Sequence, residues 1–366
     1  MHRKPNILGT LALMCVVAPS LVHAQQPSAV RPVHTFSIVA RDPRTGDLGV
    51  AVQSHWFAVG AEVTWAEAGV GAIATQSFID PGYGKLGLDL LRAGKSADEA
   101  LRALLAVDPH ADSRQVAIVD SQGNVACFTG AKDTPEAGCA VGKLHKTASG
   151  QASQAESVTD ETAEKLGLRI YLGSDFSAQA NLMEKNTVWP AMARAYEENA
   201  QASFAERLVA ALDAAQAQGG DIRGKQSAAI LVVRSKSTGQ PWADKIVDLR
   251  VDDSEEPIKE LKRLLKYHRA YEYMEQGDAC STSRDWKCAV ENYGEAEKLL
   301  PEQMEVVFWH AVTLVTSGDV EAALPLFRKV FAKEPKWAEL VGRLPKADLL
   351  PDDPKLIERI KAQLPR

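Results

Sequence analysis

Residues 34–54 read His34-Thr35-Phe36-Ser37-Ile38-Val39-Ala40-Arg41-Asp42-Pro43-Arg44-Thr45-Gly46-Asp47-Leu48-Gly49-Val50-Ala51-Val52-Gln53-Ser54. A β-branched and aromatic run from His34 to Ala40 predicts a strand, and Asp42 to Asp47 carries turn chemistry. The chain then returns with Leu48, Val50 and Val52 on one face. Gly49 and Ala51 leave the other face open to close approach by a neighbouring layer. Further strands are expected at Ala61–Ala66 and Val70–Gln76, and helices from Tyr83 to Ala93 and from Ser96 onward. Ser96-Ala97-Asp98-Glu99 is a capping box, with Leu101, Leu104 and Leu105 on the buried stripe. A hairpin is predicted from Gln115–Asp120 and Asn124–Thr129 around Ser121-Gln122-Gly123. Residues 143–168 are Ala/Ser/Thr/Gln/Glu-rich and read as a surface insertion. A strand near Phe176–Met183, helices at Thr187–Asn199 and Phe204–Gln218, and strands Ser227–Arg234 and Lys245–Val251 complete the unit. Blocks of strands separated by pairs of helices predict an α+β sandwich of helices around antiparallel sheets over residues 33–256.

The two ends read differently. At the N-terminus, His2, Arg3 and Lys4 precede an apolar stretch from Ile7 to Val22, and Val22-His23-Ala24 offers a small-residue cleavage pattern. Residues 1–24 are expected to be a signal peptide, which makes the protein periplasmic or secreted with no stable membrane anchor. Cys15 lacks a convincing lipobox, because Met14 precedes it. From Pro257 to the C-terminus the pattern is helical and repeats. Gly277, Ala289, Tyr293, Ala296 and Pro301 recur as Ala311, Ala323, Phe327, Val330 and Pro335 in one register. This spacing resembles tetratricopeptide repeats, an all-α helical-repeat domain over 257–366. The resemblance implies a docking face for a protein partner. Flanking helices at Ile258–Tyr271 and Lys355–Gln363 are expected to cap the repeats, since two alone bury little core.

Several function classes fall away. A net charge of −6 argues against a general phosphate-binding surface, and 6% aromatic residues against a base-stacking platform, so no nucleic-acid partner is expected. No Cys-x-x-Cys or His-Glu-x-x-His is present, and no metal or cofactor is expected. Gly82-Tyr83-Gly84-Lys85-Leu86-Gly87 matches a dinucleotide fingerprint, but another helix follows it instead of a second parallel strand. Its helix N-terminus remains a place for an anionic substrate group. No Gly-x-Ser-x-Gly elbow occurs. His55 follows Ser54 directly, and neighbours in a strand point to opposite faces, so the pair reads as structural.

His34–Asp42, Gly49–Ser54, Gly69-Val70-Gly71-Ala72-Ile73-Ala74-Thr75-Gln76 and Asp221-Ile222-Arg223-Gly224-Lys225-Gln226-Ser227-Ala228 occur in the order of one known family. Over about residues 33–268 the chain resembles domain-of-unknown-function family 1028, which is Ntn-hydrolase-like. The resemblance implies a four-layer αββα sandwich. It also implies an amide hydrolase whose nucleophile is the first residue of the mature chain, acting on an unknown small amide or peptide. Thr35 matches the nucleophile. A Thr hydroxyl attacks the amide carbonyl while its free α-amine, with a pKa near 8, accepts the proton. Signal cleavage alone leaves Gln25 to His34 ahead of Thr35, so a second cut between His34 and Thr35 is required. Ser54, Gln76 and Asn181 carry the family pattern as substrate-positioning or oxyanion groups. Arg223 is a candidate carboxylate clamp, or else pins its loop through Asp221. Structural roles are assigned to Asp221 and Gln226. The competing function is a non-catalytic periplasmic binding or adaptor protein that retains the fold.

Four cysteines remain after Cys15 is removed, and they fall into two local pairs. Cys127 lies in the outgoing strand of the hairpin, and a strand through Cys139 brings the two into disulfide range. Cys280 and Cys288 fall at the facing ends of the first two repeat helices, where a second disulfide is expected.

Overall fold

A computed structural model of the protein describes residues 32–143 and 169–365. The expected signal peptide, and all but the first residue of the expected insertion, lie outside them. In chain order, β1 (Thr35–Arg41) and β2 (Leu48–Ser54) lead into helix α1 (Val59–Val63), then β3 (Thr64–Glu67) and β4 (Gly71–Ser77). Helices α2 (Gly82–Arg92) and α3 (Ala97–Val107) follow, then β5 (Arg114–Asp120), β6 (Asn124–Thr129) and β7 (Gly138–Val141). After β8 (Arg169–Ser174) and β9 (Phe176–Ala180) come α4 (Val188–Glu198), α5 (Phe204–Ala217), β10 (Ser227–Val233) and β11 (Lys245–Val251). The rest is helical: α6 (Pro257–Thr282), α7 (Trp286–Leu299), α8 (Met304–Ser317), α9 (Val320–Lys333), α10 (Trp337–Val341) and α11 (Pro354–Lys361).

The strands form two antiparallel sheets, one in the order β11-β10-β2-β1-β9-β7 and the other β3-β4-β5-β6-β8. The period-2 alternation of each strand fixes what each face meets. Val39, Val50, Val52, Ala72, Ala74, Ala117 and Val119 point between the sheets and form one core. Phe36, Ile38 and Ala178 point the other way, beneath Met192 and Tyr196 of α4 and Leu208 and Leu212 of α5. On the far side Ile73, Ile118 and Phe128 meet Leu88 and Leu91 of α2 and Leu101 and Leu104 of α3. The protein is therefore α+β, with two face-to-face sheets and helices on their outer faces. Gly49 is where α5 comes close: a Cβ there would sit 2.8 Å from Leu208 and 2.9 Å from Phe204.

Three local expectations are corrected. Ala61–Val63 is helix, not strand: Gly60 lies so close to Ala229 that a Cβ would approach within 2.4 Å, and the Thr64 hydroxyl donates to the Gly60 carbonyl (2.6 Å). β8, just before β9, is a strand that the sequence pattern did not reveal: it pairs with β6 at the edge of the five-stranded sheet, whereas β9 pairs with β1 and β7. The expected cap at Ile258–Tyr271 and the first repeat helix are one continuous helix, α6. The capping box at the start of α3 is present, with Ser96 and Glu99 each bonded to the other's backbone.

In the C-terminal region the register positions Gly277, Ala289, Tyr293, Ala296, Ala311, Ala323, Phe327 and Val330 are all buried. Phe308 packs edge-on against Phe327 with centroids 5.7 Å apart. The Cys280 and Cys288 sulfurs lie at bonding distance across the α6–α7 turn, with Cα atoms 5.8 Å apart. Cys127 and Cys139 do likewise at a Cα separation of 6.7 Å. Cys139 sits on β7 of the six-stranded sheet and Cys127 on β6 of the other, so this link joins the two sheets. Among the described residues, no helix is long and apolar enough to cross a membrane.

Candidate active site

At one end of the space between the sheets the inward-facing residues change from apolar to polar. β1 runs Val39, Ser37, Thr35; β4 runs Ala72, Ala74, Gln76; β5 runs Val119, Ala117, Gln115; β9 supplies Ser177 and Gln179. Thr35, Ser37, Ser54, Gln76, Gln115, Ser177, Gln179 and Asn181 are all fully buried there. Such groups are stable only when their hydrogen bonds are made, and here six of the side chains form one chain. Ser177 Oγ donates to Gln179 Oε1 (2.9 Å), and Gln179 Nε2 to Ser37 Oγ (2.6 Å). Ser37 Oγ donates to Gln76 Oε1 (2.6 Å), and Gln76 Nε2 to Gln115 Oε1. Asn181 Nδ2 also donates to Gln115 Oε1 (2.9 Å).

Thr35 stands at the head of this network. Its carbonyl accepts from the Asn181 backbone N–H (3.1 Å) and from Gln76 Nε2 (3.3 Å), and its hydroxyl donates to the Val33 carbonyl (2.8 Å). The preceding residue is held as firmly. The His34 carbonyl accepts from the Ser54 hydroxyl and from Arg223 Nη2 (2.9 Å). Two donors on one carbonyl oxygen, one of them a guanidinium, stabilise negative charge developing on it. The peptide bond so polarised is His34–Thr35. The His34 ring donates from Nδ1 to Asn181 Oδ1 (3.0 Å), and burial pushes its pKa below the ordinary histidine value.

Thr35, Ser54, Gln76, Asn181 and Arg223 thus converge on one point of the fold. Of the two roles the sequence offered for Arg223, the loop pin through Asp221 is the one its hydrogen bonds display. Asp221 grips it from Nε (3.0 Å) and Nη2 (2.7 Å), and the same Nη2 reaches the His34 carbonyl, not a carboxylate. Asp221 also accepts from the His55 backbone N–H (3.1 Å). The Gln226 side chain turns away to donate to Asp253 (3.2 Å), while its backbone N–H donates to the Ser54 carbonyl (3.1 Å). The anion site anticipated at the N-terminus of α2 is already filled by the Asp80 carboxylate, which accepts from the Gly82 N–H (2.8 Å). Sequence reasoning missed His34, Ser37, Gln115 and Gln179. Ser37 and Gln115 carried a signal, each polar on a strand face that turns apolar two residues further on, at Val39 and Ala117. His34 precedes the strand, and Gln179 has polar same-face neighbours in Ser177 and Asn181. Among the described residues, no three His, Cys, Asp or Glu side chains converge in a way that could hold a metal ion.

A polar, largely buried site at one end of a two-sheet α+β sandwich defines the protein's class. The chain belongs to the family of unknown function DUF1028, whose model matches residues 35–168 and 154–261. The crystal structure of a Silicibacter pomeroyi protein carrying the same family model is similar at 27% sequence identity and a TM-score of 0.49, covering 64% of this chain and 88% of that one. Comparison with curated proteins gave no match.

Proposed function

We propose that the protein is an exported amide hydrolase of the N-terminal nucleophile type, built on a four-layer αββα sandwich, with Thr35 as nucleophile. The observation that carries this reading is the pair of donors, Ser54 and Arg223, on the carbonyl oxygen of His34 next to the Thr35 hydroxyl. That carbonyl belongs to the bond whose cleavage frees the Thr35 amine, and the match to the family model begins at Thr35 itself. Before the cut, Thr35 has a peptide nitrogen that cannot act as base. After it, the α-amine takes the hydroxyl proton as Oγ adds to a substrate carbonyl, and Ser54 and Arg223 meet the developing oxyanion. Gln76 and Asn181 position Thr35 through its carbonyl. The test is intact-mass and N-terminal analysis of the exported protein together with Thr35→Ala. An N-terminus at Thr35, lost along with amidase activity in Thr35→Ala while the fold stays cooperative, supports the reading. Retention of residue 34 in the exported protein overturns it in favour of a binding protein, and turnover by Thr35→Ala overturns Thr35 as nucleophile and turns the assignment to Ser54.

We further propose that the C-terminal helices are tetratricopeptide-like and dock a cationic peptide segment of a partner. A groove of about 610 Å³ there is lined by Met274, Trp309 and Val312 and by the carboxylates of Asp278, Glu305 and Asp348, with no lysine or arginine in its lining. Among the described residues, the side-chain donors to two of these acids are neutral hydroxyls: Tyr293 donates to Asp278 (2.5 Å) and Tyr271 to Glu305 (2.6 Å). Apolar walls with unneutralised carboxylates complement alternating Lys and Leu side chains. Titration with such a decapeptide is expected to change tryptophan fluorescence and to be weakened by Glu305→Lys. Equal response to a Glu/Leu decapeptide overturns this assignment.

A further inference from the structure

Val33 and His34 occupy the site in a way that describes its ligand. We infer that the substrates are peptides, cleaved after a residue with a hydrogen-bonding side chain that follows a small branched aliphatic residue, and that residues 33–34 are the chain's own occupant of that acyl-side half. The inference rests on the amide-hydrolase reading above and adds the substrate class.

β3 pairs with β4 only at Gly71–Ala74. Beyond it, Val33 makes an isolated antiparallel bridge to Ser77 at the end of β4. The bridge is two-way: Val33 N–H donates to the Ser77 carbonyl (2.6 Å) and Ser77 N–H to the Val33 carbonyl (3.0 Å). This is the pairing by which a peptide adds to a sheet, and it recognises the amide backbone of the residue before the scissile one. The Val33 side chain is 3% exposed and belongs to the apolar core between the sheets, so the position selects a short aliphatic group. The next residue, His34, is 6% exposed and offers its ring to Asn181 Oδ1. Its carbonyl is the one held by Ser54 and Arg223. Backbone pair, aliphatic site, side-chain acceptor and carbonyl donors thus follow one another along an extended dipeptide.

Once the His34–Thr35 bond is cut and residues 33–34 leave, these groups lose their partners. A buried polar group without a partner is costly, so the empty site favours a ligand that restores the same bonds. An acyl dipeptide does so, and a simple acyl amide does not. Thr35 Oγ adds to the carbonyl carbon and its proton passes to the α-amine. Collapse breaks the C–N bond, and that proton departs with the leaving amine. Water then cleaves the Thr35 ester to a free carboxylic acid and restores the hydroxyl.

The test takes full-length protein that intact mass shows to begin at Thr35 after processing. Its probes are the p-nitroanilides of acetyl-Pro-Val-His, acetyl-Pro-Asp-His and acetyl-Pro-Gly-His, with acetyl p-nitroanilide as the non-peptide amide. The Val-His probe is expected to be hydrolysed at least tenfold faster than each of the others, judged by kcat/KM. In the full chain, Val33→Asp should slow appearance of the Thr35 N-terminus at least tenfold, and Val33→Ile, which keeps a branched aliphatic group, by less than threefold; equal slowing by the two overturns the aliphatic assignment. Rates within threefold across the panel, with Thr35→Ala inactive, overturn the substrate inference and leave the hydrolase reading standing. Protein that never exposes Thr35, or that hydrolyses none of the anilides, overturns the hydrolase reading and the inference with it.

Discussion

Asp133 shows how much a single buried group can reveal about this site. It lies in the loop between β6 and β7, and its Oδ1 accepts from the Ser77 hydroxyl and from the Thr134 N–H (3.1 Å). Its other oxygen, Oδ2, is buried without a partner among the described residues. Burial pushes the Asp133 pKa up to about 7, against the two hydrogen bonds that favour the anion. The folded state therefore keeps a proton that the unfolded chain releases near pH 4. Between about pH 4 and pH 7 the native state binds more protons than the unfolded one, so this residue makes stability fall as pH rises, levelling off above 7. Asp133→Asn cannot ionise and still presents an oxygen to Ser77. It is expected to leave stability near pH 4 almost unchanged and to raise it at pH 8 by more than about 1.4 kcal/mol, the equivalent of one pKa unit. Urea denaturation of both proteins at the two pH values measures this, and an equal difference at both would remove the assignment. Because Ser77 also bridges Val33, the acidic loop and the candidate acyl-side site share one residue.

At the scale of elements, the glycines of α2 decide how the outer helices sit. Gly84 faces Trp65 of β3, where a Cβ would fall 2.2 Å from the indole, and Gly87 faces Ile73 of β4 at 2.5 Å. The Gly-x-Gly-x-x-Gly spacing thus serves helix–sheet contact and not a phosphate. Gly84→Ala gains helix propensity but must push α2 away from β3, and the net cost is expected to be ~1–3 kcal/mol. A drop in the urea midpoint with unchanged m-value would show it, whereas a more stable variant would mean that Trp65 yields freely. Much of the strand and helix order was legible because period-2 and period-3.6 patterns are local: the hairpin of β5 and β6 and the capped helices α3 and α5 lie where they were expected. What long-range packing decided was not. α1 took a helical turn because Gly60 must lie flat on Ala229, and α6 ran through the expected junction because nothing between Tyr271 and Gly277 stops a helix. The site was legible in Thr35, Ser54, Gln76, Asn181 and Arg223 only through resemblance. Gln115 and Gln179 belong to different sheets, and no local pattern says that their side chains join one network.

For the whole molecule, α6 is the element that makes sandwich and helical region answer to each other. Its first turns place Ile258 and Leu261 in the core shared by the six-stranded sheet and α4–α5. Its later turns place Ala270 and Met274 against Tyr293 and Ala296 of α7. One rigid helix thus enters two cores, and fraying in either is opposed by packing in the other. Lys266 lies between the two sets of contacts, exposed and engaged in neither core. Lys266→Pro removes one backbone hydrogen bond and clashes with the preceding turn, a cost of about 3 kcal/mol in a helix interior. Because it touches no core, its effect falls on the continuity of α6. The wild type is expected to unfold in one transition, coincident by far-UV circular dichroism and by tryptophan fluorescence. Lys266→Pro should split that transition, with the C-terminal helices melting first, because the sandwich keeps its three cores and the Cys127–Cys139 link between its sheets. Lys266→Ala serves as control and should behave as wild type. Two separate transitions already present in the wild type would show that α6 does not couple the two regions. A single transition retained in Lys266→Pro would place the coupling in contacts other than this helix.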